Sequence, residues 1–196
     1  MDQATGLDAV EVEQSLGVPD PCDPTTFKSQ PFVKTISNTE DVAGLNEDEN
    51  YPGPIQWGKG NLQQGYPYEG YVSGLLAPAG YEQTVRPFTA FDQWNGSIAV
   101  SDKTLNTEAT SYQNTPSKIT VKMVQAAEKM LHFLQSRSVA SGPNFTQQNI
   151  ESYSFYMAVP DGTTDPQWQA ICQGYQLMKT ICSVKGVNIV INSVDA

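Results

Sequence analysis

From residue 114 onward the chain alternates between two periodicities, and that alternation constrains its fold more than any other feature. Asn114-Thr115-Pro116 reads as a helix start, with Thr115 as N-cap and Pro116 at the first helical position. Ile119, Val121, Met123, Val124, Ala127, Met130, Leu131 and Leu134 then give an amphipathic helix to about Gln135, and Gly142-Pro143 breaks the chain. Tyr153 to Val159 alternates well enough for a buried strand. Thr164-Asp165-Pro166 opens a second helix, with Trp168, Ile171, Cys172, Tyr175, Met178 and Ile181 as its apolar side. Gly186 ends it before a final strand, Val187 to Ile191. Upstream, Phe88–Asp92 and Ile98–Lys103 are β-like runs around the turn-forming Asn95-Gly96, which predicts a hairpin. Gly60 to Leu76 admits a helix interrupted near Pro67. The order helix, β-hairpin strands, helix, strand, helix, strand is α/β.

Charge divides the chain. The net charge is −10, of which residues 1–50 carry −9, with eleven acids against Lys28 and Lys34. Residues 51–196 hold ten acids and nine bases. An acidic chain is a poor electrostatic partner for nucleic acid, so the near-neutral remainder is where any such binding belongs. Residues 1–50 also carry Pro19, Pro21, Pro24 and Pro31. They read as an acidic, loosely structured N-terminal arm, a linker or the remnant of an entry domain, ahead of a domain over residues 51–196. Cys22, Cys172 and Cys182 do not suggest a disulfide framework. Cys172 and Cys182 fall in one helix, where ten residues at ~1.5 Å rise put them ~15 Å apart, beyond disulfide reach. His132 is the only histidine, which excludes a two-histidine ribonuclease mechanism. No stretch approaches the ~20 apolar residues that span a bilayer, and the start lacks the features of a secretory signal.

One ordered set of residues carries chemistry. It runs Trp57-Gly58-Lys59-Gly60, Gln64-Gly65-Tyr66-Pro67-Tyr68-Glu69, Phe91-Asp92, then Ser101-Asp102-Lys103-Thr104 and on to Thr107. Breaking a phosphodiester takes carboxylates that hold a divalent cation and a positive group that steadies the attacking water or the developing charge. Glu69 and Asp92 supply the carboxylates and Lys103 the positive group. The hairpin brings Asp92 to the strand bearing Ser101 and Lys103, which share a face because side chains two apart point the same way. The same alternation sends Asp102 to the other face, away from the expected site.

The set resembles the PD-(D/E)xK, or restriction-endonuclease-like, nucleases, with Ser101 where a carboxylate usually precedes the lysine. Within them it is most similar to the C-terminal toxin domains of contact-dependent growth inhibition (CdiA-type) and related polymorphic toxins, over roughly residues 50–196. The resemblance implies a restriction-endonuclease-like core and a metal-dependent endonuclease. Glu69, Asp92, Ser101 and Lys103 would be catalytic, and Glu69 and Asp92 would ligate Mg²⁺ or another divalent cation. Magnesium tolerates two charged ligands because it keeps several waters. Lys59, Gln64, Thr104 and Thr107 are expected on the substrate. That substrate is expected to be transfer RNA, with DNA as the alternative and a non-catalytic binding module of the same fold as a further one. A cognate immunity protein is the expected partner. Delivery from a secreted or cell-surface parent, and action in the cytoplasm of a target bacterium, complete the expectation.

Overall fold

The computed structural model describes residues 20–84, 90–132 and 146–195. Its elements in chain order are α1 (Pro24–Lys28), β1 (Val33–Ile36), a π-helical turn Asn38–Val42 leading into α2 (Ala43–Leu45), and α3 (Asn61–Leu76). Then come β2 (Glu82–Gln83), β3 (Gln93–Trp94), β4 (Ile98–Thr104), α4 (Thr110–Asn114), α5 (Ser117–His132), β5 (Ser152–Pro160), α6 (Asp165–Ile181) and β6 (Val187–Val194). The strands form one six-stranded sheet in the order β1-β6-β5-β4-β3-β2. β4, β5, β6 and β1 pair in parallel, while β3 and β2 join β4 as an antiparallel meander. The fold is mixed α/β with helices on both faces of the sheet.

Strand alternation decides which helix each residue meets. Ala99, Tyr153, Phe155, Met157, Ile189 and Ile191 point to one face and pack against Ile119, Met123 and Met130 of α5 and Ile171 and Met178 of α6. Val100, Ala158 and Val194 point to the other, against Tyr68, Tyr71 and Val72 of α3. Fully burying one such large apolar side chain contributes ~1.5–3 kcal/mol. The expected α5, β5, α6 and β6 are present among the described residues, with α5 starting at Ser117, one residue after the expected Pro116. Its expected last residues, 133–135, and the Gly142-Pro143 break lie outside the described residues. α6 opens with the Thr164–Gln167 capping box, in which each side chain bonds the other's backbone N–H.

Four expectations need correction. The helix is not interrupted at Pro67: α3 runs continuously from Asn61 to Leu76. Proline cannot donate to the carbonyl four residues back, but that carbonyl, on Gln63, accepts the Gln56 N–H at 3.1 Å, so nothing is left unpaired. The first hairpin arm is shorter than expected. β3 covers Gln93–Trp94, residues 90–92 are not in strand, and residues 85–89 lie outside the described residues.

The break near residue 50 is not a break in the fold. β1 pairs in register with β6, from Val33 opposite Ile191 to Ile36 opposite Val194. Residues 45–48 lie over α3 so closely that a Cβ on Gly74 would sit 2.2 Å from the Leu45 carbonyl oxygen, and one on Gly70 would strike the Asn46 side chain. Val42 is fully buried there. The expected acidic arm thus includes a sheet edge and the cover of α3 from residue 20 on, while residues 1–19 and the short helix expected at Val10–Leu16 lie outside the described residues. Lastly, Cys22 and Cys172 form a disulfide with Cα atoms 5.4 Å apart across a sequence separation of 150, tying the segment before α1 to α6. Cys182 is free and buried.

Candidate active site

The site gathers where α3 crosses the end of the β3–β4 hairpin. Gly96, at φ 97°, makes the turn, and the Asn95 side chain accepts the N–H groups of Ser97 and Ile98 at 3.1 and 2.7 Å. The hairpin starts one residue before β3, where the Asp92 N–H donates to the Val100 carbonyl at 2.7 Å. Two turns along α3, Tyr68 is fully buried and its hydroxyl donates to Asn192 Oδ1 of β6 at 2.7 Å, which pins the helix to the sheet. The next residue, Glu69, is thereby held buried over β4.

Carboxylate oxygens of Glu69, Asp92 and Asp102 all lie within 4.8 Å of one another. Asp92 Oδ2 accepts the Asp102 backbone N–H at 2.8 Å, in the place a neighbouring strand would have taken, and the Lys103 ammonium at 3.1 Å. The Lys103 ammonium also donates to the Asp102 carbonyl. Gln93, wholly buried, donates from Nε2 to Asp102 Oδ2 at 2.7 Å. Burial and then the charge of Asp92 push the Asp102 carboxyl well above the usual carboxylate range, and Lys103 offsets only part of this. Burial alone draws Lys103 downward, but Asp92 and Asp102 outweigh it and its pKa is raised.

Glu69, Asp92, Asp102, Lys103, Gln64 and Thr104 line one cleft of about 440 Å³, with Lys129 of α5 on its rim. The structure therefore brings together Glu69, Asp92 and Lys103 from the expected set. It corrects the placement of Asp102, which points into the cluster. The alternation argument was sound, but the site lies on Asp102's face, under α3, not on the face of Ser101. Lys103 leaves β4 beside Met123 and Phe155 on the α5 side, and its four-carbon stem returns the ammonium to Asp92. Ser101 is buried on that α5 side and is not among the residues lining the cleft.

The expected substrate contacts divide similarly. Gln64 donates to Thr104 Oγ1 at 3.1 Å across the cleft mouth. Lys59 is exposed in the turn before α3, outside the cleft lining. Thr107 is fully buried, its Oγ1 2.7 Å from Thr163 Oγ1 and its carbonyl accepting Gln167 Nε2 at 2.6 Å. It fastens the loop after β4 to the start of α6 and has no surface for substrate. Sequence reasoning missed Asp102, Gln93 and Lys129. For Asp102 the signal was present in the alternation, and what was lacking was which face α3 covers.

The family model described as "CDI toxin restriction endonuclease-like domain" matches residues 64–192. The "Deoxyribonuclease CdiA-o11" of Escherichia coli O157:H7 (strain EC869) is 28% identical over 145 residues, covering 71% of this chain and 36% of that protein. The "Deoxyribonuclease CdiA" of Yersinia pseudotuberculosis serotype O:3 (strain YPIII) is 28% identical over 142 residues, 71% of this chain and 12% of that protein. This chain thus spans about a third of one relative and about an eighth of the other. A solved "CdiA-CT/CdiI toxin and immunity complex from Yersinia pseudotuberculosis" superposes with a TM-score of 0.52 at 25% identity, covering 64% of this chain and 96% of that one.

Proposed function

The chain belongs to the CDI toxin restriction endonuclease-like domain family, and from that premise we propose that it is a metal-dependent endonuclease of the PD-(D/E)xK type acting on DNA. The observation that carries this is the triad of Glu69, Asp92 and Asp102 with Lys103 bound to Asp92. Three carboxylates within 4.8 Å of one another repel, and burial first, then the charges of Asp92 and Glu69, raise the Asp102 carboxyl. An all-oxygen set suits magnesium or another hard divalent cation. Glu69, Asp92 and Asp102 would hold it. When bound, such an ion polarises a phosphoryl oxygen and lowers the pKa of a coordinated water.

The chain's own residues supply the rest. Asp92 fixes the Lys103 ammonium at the cleft, where its charge steadies the negative charge that develops on the phosphate. Gln93 orients Asp102 by its 2.7 Å bond.

DNA is preferred to transfer RNA because both curated relatives are named deoxyribonucleases. Transfer RNA is the alternative that the motif resemblance implied. Incubating the purified chain with plasmid and with total RNA, with Mg²⁺ or with EDTA, tests the assignment. Plasmid nicking that stops with EDTA, with RNA left intact, is expected. RNA cleavage with intact plasmid would reinstate the other substrate, and no cleavage of either would leave a binding module.

The reading extends to a partner. The solved relative is a toxin with its immunity protein, and a cell that makes a cytoplasm-active nuclease must block it. A cognate immunity protein occluding the cleft, over a typical interface of ~1,600 Å², meets that need. Delivery from a surface protein into a competing bacterium belongs to the same proposal. Co-expression with the adjacent reading frame should restore growth and yield a stable complex.

A further inference from the structure

A second depression lies beside the cleft, with Lys103 between them. This groove, of about 160 Å³, lies between the end of β4 and α5, and it shares Lys103, Thr104 and Lys129 with the carboxylate cleft. Met123, Phe155 and Met157 lie beneath it as buried core side chains, and Lys122 and Lys129 are among the residues that line it. No carboxylate is among its lining residues. Glu128 shares the outer surface of α5 with Lys129 and His132 and does not line the groove.

Both lysines are exposed, and neither makes an ion pair among the described residues. They are seven residues apart, which on a helix is two turns along one face. That leaves two positive charges beside Lys103, in a chain whose net charge is −10. Both lysines line a depression that shares Lys103 and Thr104 with the carboxylate cleft.

We propose that this groove is a nucleotide subsite for the substrate strand beside the scissile phosphodiester. Lys122 and Lys129 each hold one phosphate of the flanking backbone, and the sugar edge between them passes over the aliphatic stems of the two lysines, because Met123, Phe155 and Met157 beneath are buried. The inference rests on the nuclease reading and adds to it the side of the cleft along which the strand runs. It also explains how a near-neutral domain binds a polyanion: Lys103, Lys122 and Lys129 stand together where the backbone passes.

The test uses the full chain in EDTA, so that binding is read without cleavage. Fluorescence anisotropy of a fluorescein-labelled duplex is followed across a salt series for the parent, Lys122→Gln, Lys129→Gln, the double variant and Lys118→Gln. Lys118 is exposed on α5 but outside the groove and serves as the control. Each lost phosphate contact should lower the slope of log K against log salt by ~0.9, and the double variant by ~1.8. With Mg²⁺ restored, KM should rise for the groove variants while kcat is nearly kept.

Melting temperatures verify folding, and the single variants carry the test if the double one is unstable. A parent-like slope for the double variant overturns the subsite, as does an equal effect of Lys118→Gln. A parent chain that neither binds nor cleaves nucleic acid would instead fail the nuclease reading itself, a result distinguishable from these.

Discussion

Asp102 carries the residue-scale argument. It is buried, faces Glu69 and Asp92 and is held by Gln93, so Asp102→Asn should remove a metal ligand without creating a cavity. Loss of one such electrostatic group typically costs ~10²–10³ in rate, and we expect this for Asp102→Asn as for Asp92→Asn. Calorimetric titration with Mg²⁺ or Mn²⁺ should show weakened binding for both. Full activity of Asp102→Asn would return the site to two carboxylates. Cys182 gives a second prediction at this scale. Burial pushes its thiol up to about 11, so at neutral pH almost none is thiolate and alkylation of the folded chain by iodoacetamide should be very slow. Rapid labelling without denaturant would show that the α6 C-terminus opens.

At the scale of elements, α3 positions the site because it is clamped on two sides. The sheet holds it from below through Tyr68, and residues 45–48 press on it from above at Gly70 and Gly74. Gly74→Ala puts a Cβ against backbone, at the Leu45 carbonyl oxygen, and nothing flexible can yield. We expect a loss of ~1–3 kcal/mol in urea unfolding, the usual cost of overpacking. Gly65→Ala on the same helix meets nothing within 4 Å and should be neutral or gain ~0.4–1 kcal/mol by restricting the unfolded chain. Equal effects of the two would mean that residues 45–48 do not press on α3 in solution.

For the whole molecule, the first fifty residues are the decisive segment. Removing residues 1–50 deletes β1, the cover of α3 and Cys22 together. The truncated chain should be insoluble, or should melt well below the parent, and not behave as a free catalytic domain. The disulfide is testable separately. Closing a loop across a separation of 150 residues stabilises by up to ~5 kcal/mol in the chain-entropy description. Cys22→Ser, or a reductant that reaches the bond, should therefore lower the melting temperature clearly while leaving the carboxylate cluster in place. An unchanged melting curve would show that the bond does not form.

Local pattern determined much of this protein. Caps, periodicity and turn residues placed α5, β5, α6, β6 and the β3–β4 turn, because those signals act within a few residues. That Glu69, Asp92 and Lys103 come together was legible because the proposed phosphodiester chemistry asks for those residue types. Tertiary structure decided the remainder. Whether Ser101 or Asp102 faces the site depends on which helix covers which face, and alternation alone gives two faces without saying what lies on each. The strand character of Val33–Ile36 arises from pairing with β6, about 160 residues away in sequence, and acidic, proline-rich flanks conceal it. The Cys22–Cys172 bond likewise depends on the path that lays α1 on α6. Contacts made across such separations leave no local signature, because the partner that stabilises them is absent from any short window of the chain.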